Sequence, residues 1–167
     1  MTEYFETFNI AFLHCGEVGP EKELRGAVLV TDKKSHPLEL RFTDAVKATT
    51  LEKLVYGVTL KRGIAIEKLA LPLIKALETP CNLIVVNDPA LLDLAKASST
   101  PVCCFRELDG EIEIETIGND KERNQRLTEV LVENLDADFD WPEPIERLEK
   151  VLEHIQYYGN IDTLSGI

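Results

Sequence analysis

Asp88 is the residue whose type and position best suit chemistry. It follows an apolar run at residues 82–86 that predicts a buried strand, and it directly precedes Pro89 and a helix-like segment. A carboxylate at the end of a buried strand can bind a metal ion or act as a general base. Aspartate followed by proline is also a favoured helix start. We expect the second role, in which Asp88 accepts a hydrogen bond from the backbone N–H of Leu91 or a neighbour.

His14 and Cys15 are a second pair that could serve catalysis, as a base beside a thiol nucleophile. Adjacent residues of a strand point to opposite faces, so these two side chains should not contact each other. The four cysteines, Cys15, Cys81, Cys103 and Cys104, contain no CxxC pair. We therefore expect four free thiols that bind no zinc, and a structural role for His14.

The charge of the chain narrows its possible partners. Thirty acidic and 18 basic residues give a net charge of -12, which disfavours nucleic acid and anionic membranes. The sequence has no glycine-rich phosphate-binding motif and no nucleophile elbow, so no cofactor is expected. The N-terminus has no basic signal region, and no apolar run is long enough to span a bilayer. These features predict a cytoplasmic protein without a membrane segment.

Charged residues are distributed unevenly along the chain. Basic residues concentrate in the N-terminal half, whereas acidic residues crowd between positions 107 and 153. This asymmetry predicts a dipolar surface that contacts a protein partner or a second copy, with two solvated faces as the alternative. Residues 111–115 alternate glutamate with isoleucine. This alternation is typical of an edge strand whose acids discourage aggregation, or of a docking surface for a basic partner.

The strand-like segments predict a mixed sheet. The first three are separated by short turns and should form an antiparallel meander: residues 8–15, 27–31 and 38–43. Residues 16–26 are predicted to be a charged turn. The runs at 27–31 and 82–86 are continuously apolar, as in strands covered on both faces, so 82–86 should lie at the centre of the sheet. The Asp109-Gly110 pair predicts a hairpin.

Helical spacing replaces strand patterns after residue 48. Thr49 and Glu52 form a capping box that opens a short helix, and Gly57 should end it. Apolar residues then recur at helical spacing over residues 62–78. Pro72 lies inside this run and should kink the helix or split it in two.

Two further helices are predicted in the C-terminal part. Asn119 and Glu122 resemble a capping box, and residues 142–159 place an apolar stripe on a helix that Gly159 should end. The whole chain is expected to form one α/β domain, with the last helix packed on its body. Phe139 and Trp141 precede that helix. They could anchor a partner or pack the helix onto the body.

The element order β-β-β-α-β-α-β-β-α-α resembles the ribonuclease-H-like topology, with helices on both faces of a mixed sheet. The resemblance implies carboxylates that hold two Mg²⁺ or Mn²⁺ ions. Asp88 matches the fourth-strand acid, Glu67 the helix acid, and Glu146 or Glu149 a late acid. The first strand offers no aspartate, and its nearest acid is Glu17, just past the predicted end.

Residues 30–57 resemble a stretch of small, uncharacterised bacterial proteins, a resemblance that implies no activity. Together with the missing first-strand acid, it favours a non-catalytic accessory or interaction protein of a bacterial multi-component system. The alternative is a divergent metal-dependent nuclease or phosphoryl-transfer enzyme. Three or more carboxylates converging within ~5 Å at the end of strand 82–86 would favour that alternative.

Overall fold

A computed structural model describes residues 8–116, 122, 126, 129, 133–136 and 138–158. Its strands are β1 Ile10–Val18, β2 Glu23–Thr31, β3 Pro37–Phe42, β4 Leu83–Val86, β5 Val102–Leu108 and β6 Glu111–Thr116. They form one sheet in the order β3-β2-β1-β4-β5-β6. The first three strands are antiparallel, β1, β4 and β5 are parallel, and β6 returns antiparallel to β5.

The predicted fold class is confirmed by this arrangement. The sheet opens with the expected antiparallel meander, and β4 lies inside the sheet between β1 and β5. The Asp109-Gly110 hairpin is present, with both residues at positive φ, as its tight turn requires. The strand order and directions are those of the ribonuclease-H-like topology.

The prediction of a turn at residues 16–26 is wrong for most of that stretch. Strands β1 and β2 stay paired from Gly16 opposite Arg25 to Val18 opposite Glu23. Only residues 19–22 form the turn, which is closed by a hydrogen bond from the Lys22 N–H to the Gly19 carbonyl. Glycine and acidic residues are tolerated here because this end of the hairpin is mostly solvent-accessible, with Val18 its only buried side chain.

Both predicted N-terminal helices are present, within one helical segment whose first helix ends at Gly57 as expected. The segment contains α1 Thr50–Tyr56, a 3-10 turn at Gly57–Thr59, α2 Leu60–Ile64, a π-helical stretch at Ala65–Ala70 and α3 Leu71–Ala76. Pro72 has no N–H, and in a regular α-helix its ring would clash with the carbonyl of Lys68. The wider π turns lie directly before it and accommodate the proline without breaking the helix.

Two apolar layers flank the sheet. Helix α4, Pro142–Tyr158, packs on β1 and β2 and buries Leu148 and Leu152 on one face. The π stretch, α3 and a 3-10 helix at Pro89–Lys96 cover the other face. Cys103 lies in the first layer and Cys104 in the second, as the strand alternation predicts. All four cysteines are free thiols.

Parts of the sequence predictions concern residues that the structure does not describe. The capping box at Asn119 and most of the helix after it lie outside the described residues, as does Gly159 at the predicted end of the last helix. Among the described residues, no helix combines the length and the apolar character that crossing a bilayer requires.

Candidate functional site

The sheet forms a notch where β4 ends. The last residue of β4, Val86, pairs with Leu13 of β1 and Cys104 of β5. Strand β1 continues to Val18 and β5 to Leu108, so two hairpins project beyond β4 on either side. In an α/β sheet, ligands commonly bind at the carboxyl ends of parallel strands. The end of β4 is therefore the first candidate site.

A cleft of about 440 Å³ lies beside this notch, on the face covered by the helical segment. Its polar lining comes from three parts of the chain: the end of β1, the helix α2, and Asp88, which lies two residues after the end of β4. The lining residues that carry charge or a thiol are Cys15, Glu17, Lys61, Arg62 and Asp88. The cleft therefore contains carboxylates and cations in equal number.

Asp88 caps the 3-10 helix that begins at Pro89. Its Oδ1 accepts a hydrogen bond of 3.0 Å from the Ala90 N–H, and its carbonyl accepts one from the Leu91 N–H. The predicted capping role is confirmed, with Ala90 rather than Leu91 as the side chain's donor. The helix that it starts is of the 3-10 type instead of the expected α-helix.

Of the other candidate acids, Glu17 and Glu67 have structural partners, and Glu146 and Glu149 are exposed on α4. Glu17 forms an ion pair with Lys61, whose hydrogen bond lowers the pKa of the Glu17 carboxyl. Glu67 lies outside the cleft lining, with its Oε2 3.5 Å from the Tyr56 hydroxyl. The described residues contain no group of three or more His, Cys, Asp or Glu side chains that could hold a metal ion. The residues described at the end of β4 therefore do not fit a two-metal centre.

His14 and Cys15 do not form a catalytic pair. The closest hydrogen-bonding partner of the His14 Nδ1 is the Asn87 Oδ1, at 3.4 Å, whereas the Cys15 Sγ lies 3.9 Å from the Ala65 carbonyl oxygen. Burial, with a smaller effect from the Asp88 charge, raises the pKa of the Cys15 thiol to about 12. Since a thiolate is the reactive form, Cys15 is a poor nucleophile at neutral pH.

Lys61 and Arg62 are the cleft residues that the sequence reasoning missed. Arg62 forms an ion pair with Asp93, which Lys96 also approaches. The available signal was the Lys61-Arg62 pair directly before a helical apolar pattern. This order places two cations where the helix starts, above the sheet. Their position in the cleft depends on the crossover from β3, which the sequence does not specify.

Helix α1 exposes its apolar side chains, and these make a second candidate site. Leu51, Leu54, Val55 and Val58, called the aliphatic stripe below, are each at least 70% exposed. Leu51, Leu54 and Val55 have the i, i+3, i+4 spacing of one face of α1, and Val58 follows in the 3-10 turn after the helix. No side chain of α1 is buried. Apolar side chains with this spacing normally pack on a core, so their exposure makes the stripe a candidate contact surface.

The opposite side of α1 is held to the rest of the molecule. Glu52 forms an ion pair with Lys68, and the Tyr56 ring lies against Gly63, where a Cβ atom would come within 2.9 Å of the ring. The predicted capping box at Thr49 is confirmed, and Gly57 ends the helix at a φ of +56°. These contacts orient α1 so that the stripe faces solvent.

Phe139 and Trp141 belong to the packing around α4. Trp141 is buried, with its ring 6.4 Å from that of Phe105 and 5.0 Å from that of Phe139. The Phe139 ring stacks on Phe12 at 6.2 Å. Of the two roles considered for this pair, packing of the last helix is the one that the structure shows.

Comparisons with known proteins give distant structural likeness alone. Neither a protein-family model nor a curated protein sequence matches this chain. The match to the crystal structure of endonuclease V from Bacillus subtilis covers 93% of this chain and 82% of the endonuclease V chain, at 13% sequence identity and a TM-score of 0.44. The match to the crystal structure of LC11-RNase H1 in complex with an RNA/DNA hybrid covers 74% of this chain and 75% of the RNase H1 chain, at 13% sequence identity and a TM-score of 0.28.

Proposed function

We propose that this chain is a non-catalytic interaction protein that binds a protein partner through the aliphatic stripe. The observation that carries the proposal is the exposure of Leu51, Leu54 and Val55 on α1, a helix with no buried side chain, and of Val58 in the turn that follows it. A role as an accessory subunit of a bacterial multi-component system agrees with such a surface.

The energetics of the stripe support this assignment. Full burial of a leucine or valine side chain is worth about 1.5 kcal/mol or more. Four such exposed side chains therefore hold several kcal/mol of unused binding free energy, whereas Glu17, Lys61 and Arg62 of the cleft are already in ion pairs. A contact surface needs exposed apolar area, whereas a catalytic cleft needs charged groups that are not already in ion pairs.

Affinity capture from the native cell extract tests the proposal. The baits are the unchanged chain, Leu54→Glu in the stripe, and Leu38→Glu as a matched control on β3, where the leucine is 47% exposed. We expect at least one protein, another copy of the chain included, to be retained by the unchanged bait and by Leu38→Glu. Leu54→Glu should reduce its recovery at least about tenfold, because a buried charge replaces an apolar contact.

Equal recovery with Leu54→Glu and the unchanged bait would contradict the proposal. Circular dichroism and thermal unfolding of both variants establish that each bait is folded. Since both positions are exposed, neither substitution should lower the unfolding temperature appreciably.

A metal-dependent nuclease or related phosphoryl-transfer enzyme is the second candidate function. The observation that favours it is the position of the cleft at the carboxyl ends of β1 and β4, with Glu17 and Asp88 in its lining. In the described part of the chain these two acids are the only carboxylates that line the cleft, fewer than a two-metal centre for Mg²⁺ or Mn²⁺ needs. Nucleic acid is the substrate class that this reading implies.

Cleavage assays with Mn²⁺ separate the two candidates. Single-stranded DNA, duplex DNA, RNA and an RNA/DNA hybrid are incubated with the unchanged chain and with Glu17→Gln/Asp88→Asn. We expect no cleavage above that of the double variant. Cleavage that requires both Mn²⁺ and the two carboxylates would move the enzyme reading to first place.

A further inference from the structure

The partner of the aliphatic stripe can be inferred from the charges around it, given the proposed function on which this inference rests. Residues 47–62, which contain the stripe, include four cations and a single acid, Glu52. The cations are Lys47, Lys53, Lys61 and Arg62. The whole chain carries a net charge of -12. Lys47, Lys61 and Arg62 each pair with an acid from another element, and Lys53 has no ion pair in the described part of the chain. The sequence around the stripe is therefore basic within an acidic protein, and a partner with acidic groups would complement it.

The β5–β6 hairpin has the complementary chemistry. Residues 107–113 include four exposed acids, Glu107, Asp109, Glu111 and Glu113, and no base. None of the four forms an ion pair with another residue in the described part of the chain. Leu108 lies among them and is 44% exposed. The hairpin therefore offers an aliphatic side chain surrounded by negative charge.

Stripe and hairpin lie at the same end of the sheet. Strand β5 is parallel to β4 and β1, so its end at Leu108 lies on the same side as the end of β1 at Val18. The segment that leads into α1 is tied to that end by the Leu24–Val46 bridge and by the Lys47–Glu21 ion pair. Surfaces at one end of a molecule can both face the same second copy.

The two surfaces cannot meet within one copy. Strand β2, whose start contacts the α1 segment, is separated from β5 by β1 and β4. At the usual strand spacing this is roughly 14 Å of sheet. A two-fold axis at this end would instead place each stripe on the hairpin of the other copy. Such a contact is made twice and closes the assembly as a dimer.

We propose that the aliphatic stripe is covered by the β5–β6 hairpin of a second copy of this chain, in a two-fold dimer. Direct pairing of two stripes is disfavoured, because it would bring the cations near Lys53 of both copies together. The ion pair of Lys47 with Glu21 does not prevent the contact. Both side chains are exposed, and a pair of this kind contributes little and can exchange partners.

Sedimentation equilibrium of the full chain over a concentration series tests the dimer. We expect a species of twice 18.8 kDa at high concentration. Leu54→Glu should raise the dimer dissociation constant at least about tenfold. The control Leu38→Glu, on β3 at the opposite end of the sheet, should leave it unchanged.

Charge-reversal variants test whether the β5–β6 hairpin is the surface that covers the stripe. Glu107→Lys/Glu111→Lys should weaken the dimer about threefold or more, and Lys47→Glu/Lys53→Glu should do the same. The two pairs combined should restore association. Glu146→Lys/Glu149→Lys on α4 makes the same charge change at exposed positions away from the stripe and should not weaken the dimer. These arms leave the stripe intact, so they test the proposal even if Leu54→Glu fails to fold.

The first of these variants also distinguishes a specific contact at the hairpin from the general repulsion between two acidic chains. Glu107→Lys/Glu111→Lys brings the net charge four units closer to neutrality, which would strengthen association if only overall repulsion mattered. Stronger association in that variant would overturn the proposal, as would a monomer at every concentration. Binding of the monomer to vesicles of phosphatidylcholine and phosphatidylglycerol would also overturn it, in favour of a membrane as occupant.

The two proposals fail in different ways. A monomeric chain that captures another protein through Leu54 overturns the dimer and leaves the proposed function in place. If Leu54→Glu changes neither self-association nor capture, both proposals are overturned.

Discussion

The cleft beside β4 and the aliphatic stripe on α1 differ in how far their groups are already engaged. In the cleft, Glu17 is paired with Lys61, Arg62 with Asp93, and Asp88 with a backbone N–H. In the stripe, four aliphatic side chains face solvent. The charged groups of the cleft each have a hydrogen-bond or ion-pair partner, whereas the stripe, which reaches the cleft at Val58, exposes apolar surface to solvent.

The position of a residue in a fold does not by itself determine what the residue does. A ribonuclease-H-like strand order places residues at the carboxyl ends of β1 and β4, and this chain uses those positions for a helix cap and an ion pair. The same pattern of residues can therefore stabilise a fold or perform chemistry. The partners of each side chain decide between the two.

The largest expected effect contrasts a buried leucine below the cleft with an exposed leucine of the stripe. Leu69, in the π stretch, is fully buried, and Leu69→Ala should lower the free energy of unfolding by about 3 kcal/mol. Leu54→Ala should change it by less than about 0.5 kcal/mol when the chain is monomeric. Denaturant unfolding at low protein concentration measures both. A large cost for Leu54→Ala would mean that the stripe packs within the molecule.

Glu39 lies outside both regions, and its carboxylate stabilises the fold in a way that depends on pH. Burial alone would raise the pKa of Glu39, but hydrogen bonds from Arg41 and from the Thr79 and Glu78 N–H groups hold it at about 2. Its contribution is therefore complete above the unfolded-state pKa of about 4.3 and is lost as pH falls to about 2.

Unfolding as a function of pH tests this use of Glu39. Glu39→Gln should lower the free energy of unfolding by about 2–3 kcal/mol at pH 7 and by much less near pH 2. Glu149→Gln, at an exposed position on α4, is the matched control and should have a small effect at both pH values. An equal cost for Glu39→Gln at both extremes would show that its charge is not what matters.

The cap at Asp88 has a smaller expected effect. Asp88→Ala should lower the free energy of unfolding by about 1 kcal/mol, and Asp88→Asn should be nearly neutral because asparagine caps about as well. Thermal unfolding of both variants measures the difference. If Asp88→Asn keeps its stability and loses protein capture or nucleic acid cleavage, capping does not account for this residue.

Local signals in the sequence were sufficient for several elements. The Thr49–Glu52 box and Gly57 specify the ends of α1, and the Asp88-Pro89 pair specifies the start of the 3-10 helix, because each depends on neighbouring residues alone. The continuous apolar run at 82–86 identified a strand covered on both faces, and its position inside the sheet followed.

The sites themselves depend on contacts between distant residues. The spacing of Leu51, Leu54 and Val55 indicates one helix face, but it does not say whether that face meets a core or solvent. The extension of β1 to Val18 was missed because glycine and proline suggest turns, while the pairing with β2 decides the outcome. The cleft cations come from an element that only the crossover after β3 brings to the end of β1.

A photoreactive residue placed in each region distinguishes a protein contact at the stripe from a nucleic acid contact at the cleft. A benzophenone side chain replaces Leu54 in one version of the full chain and Glu17 in another, and both are irradiated in the producing cells. We expect a protein adduct from position 54, with twice the chain's mass if a second copy is the partner, and no nucleic acid adduct from position 17. A nucleic acid adduct from position 17, with no adduct from position 54, would contradict this expectation.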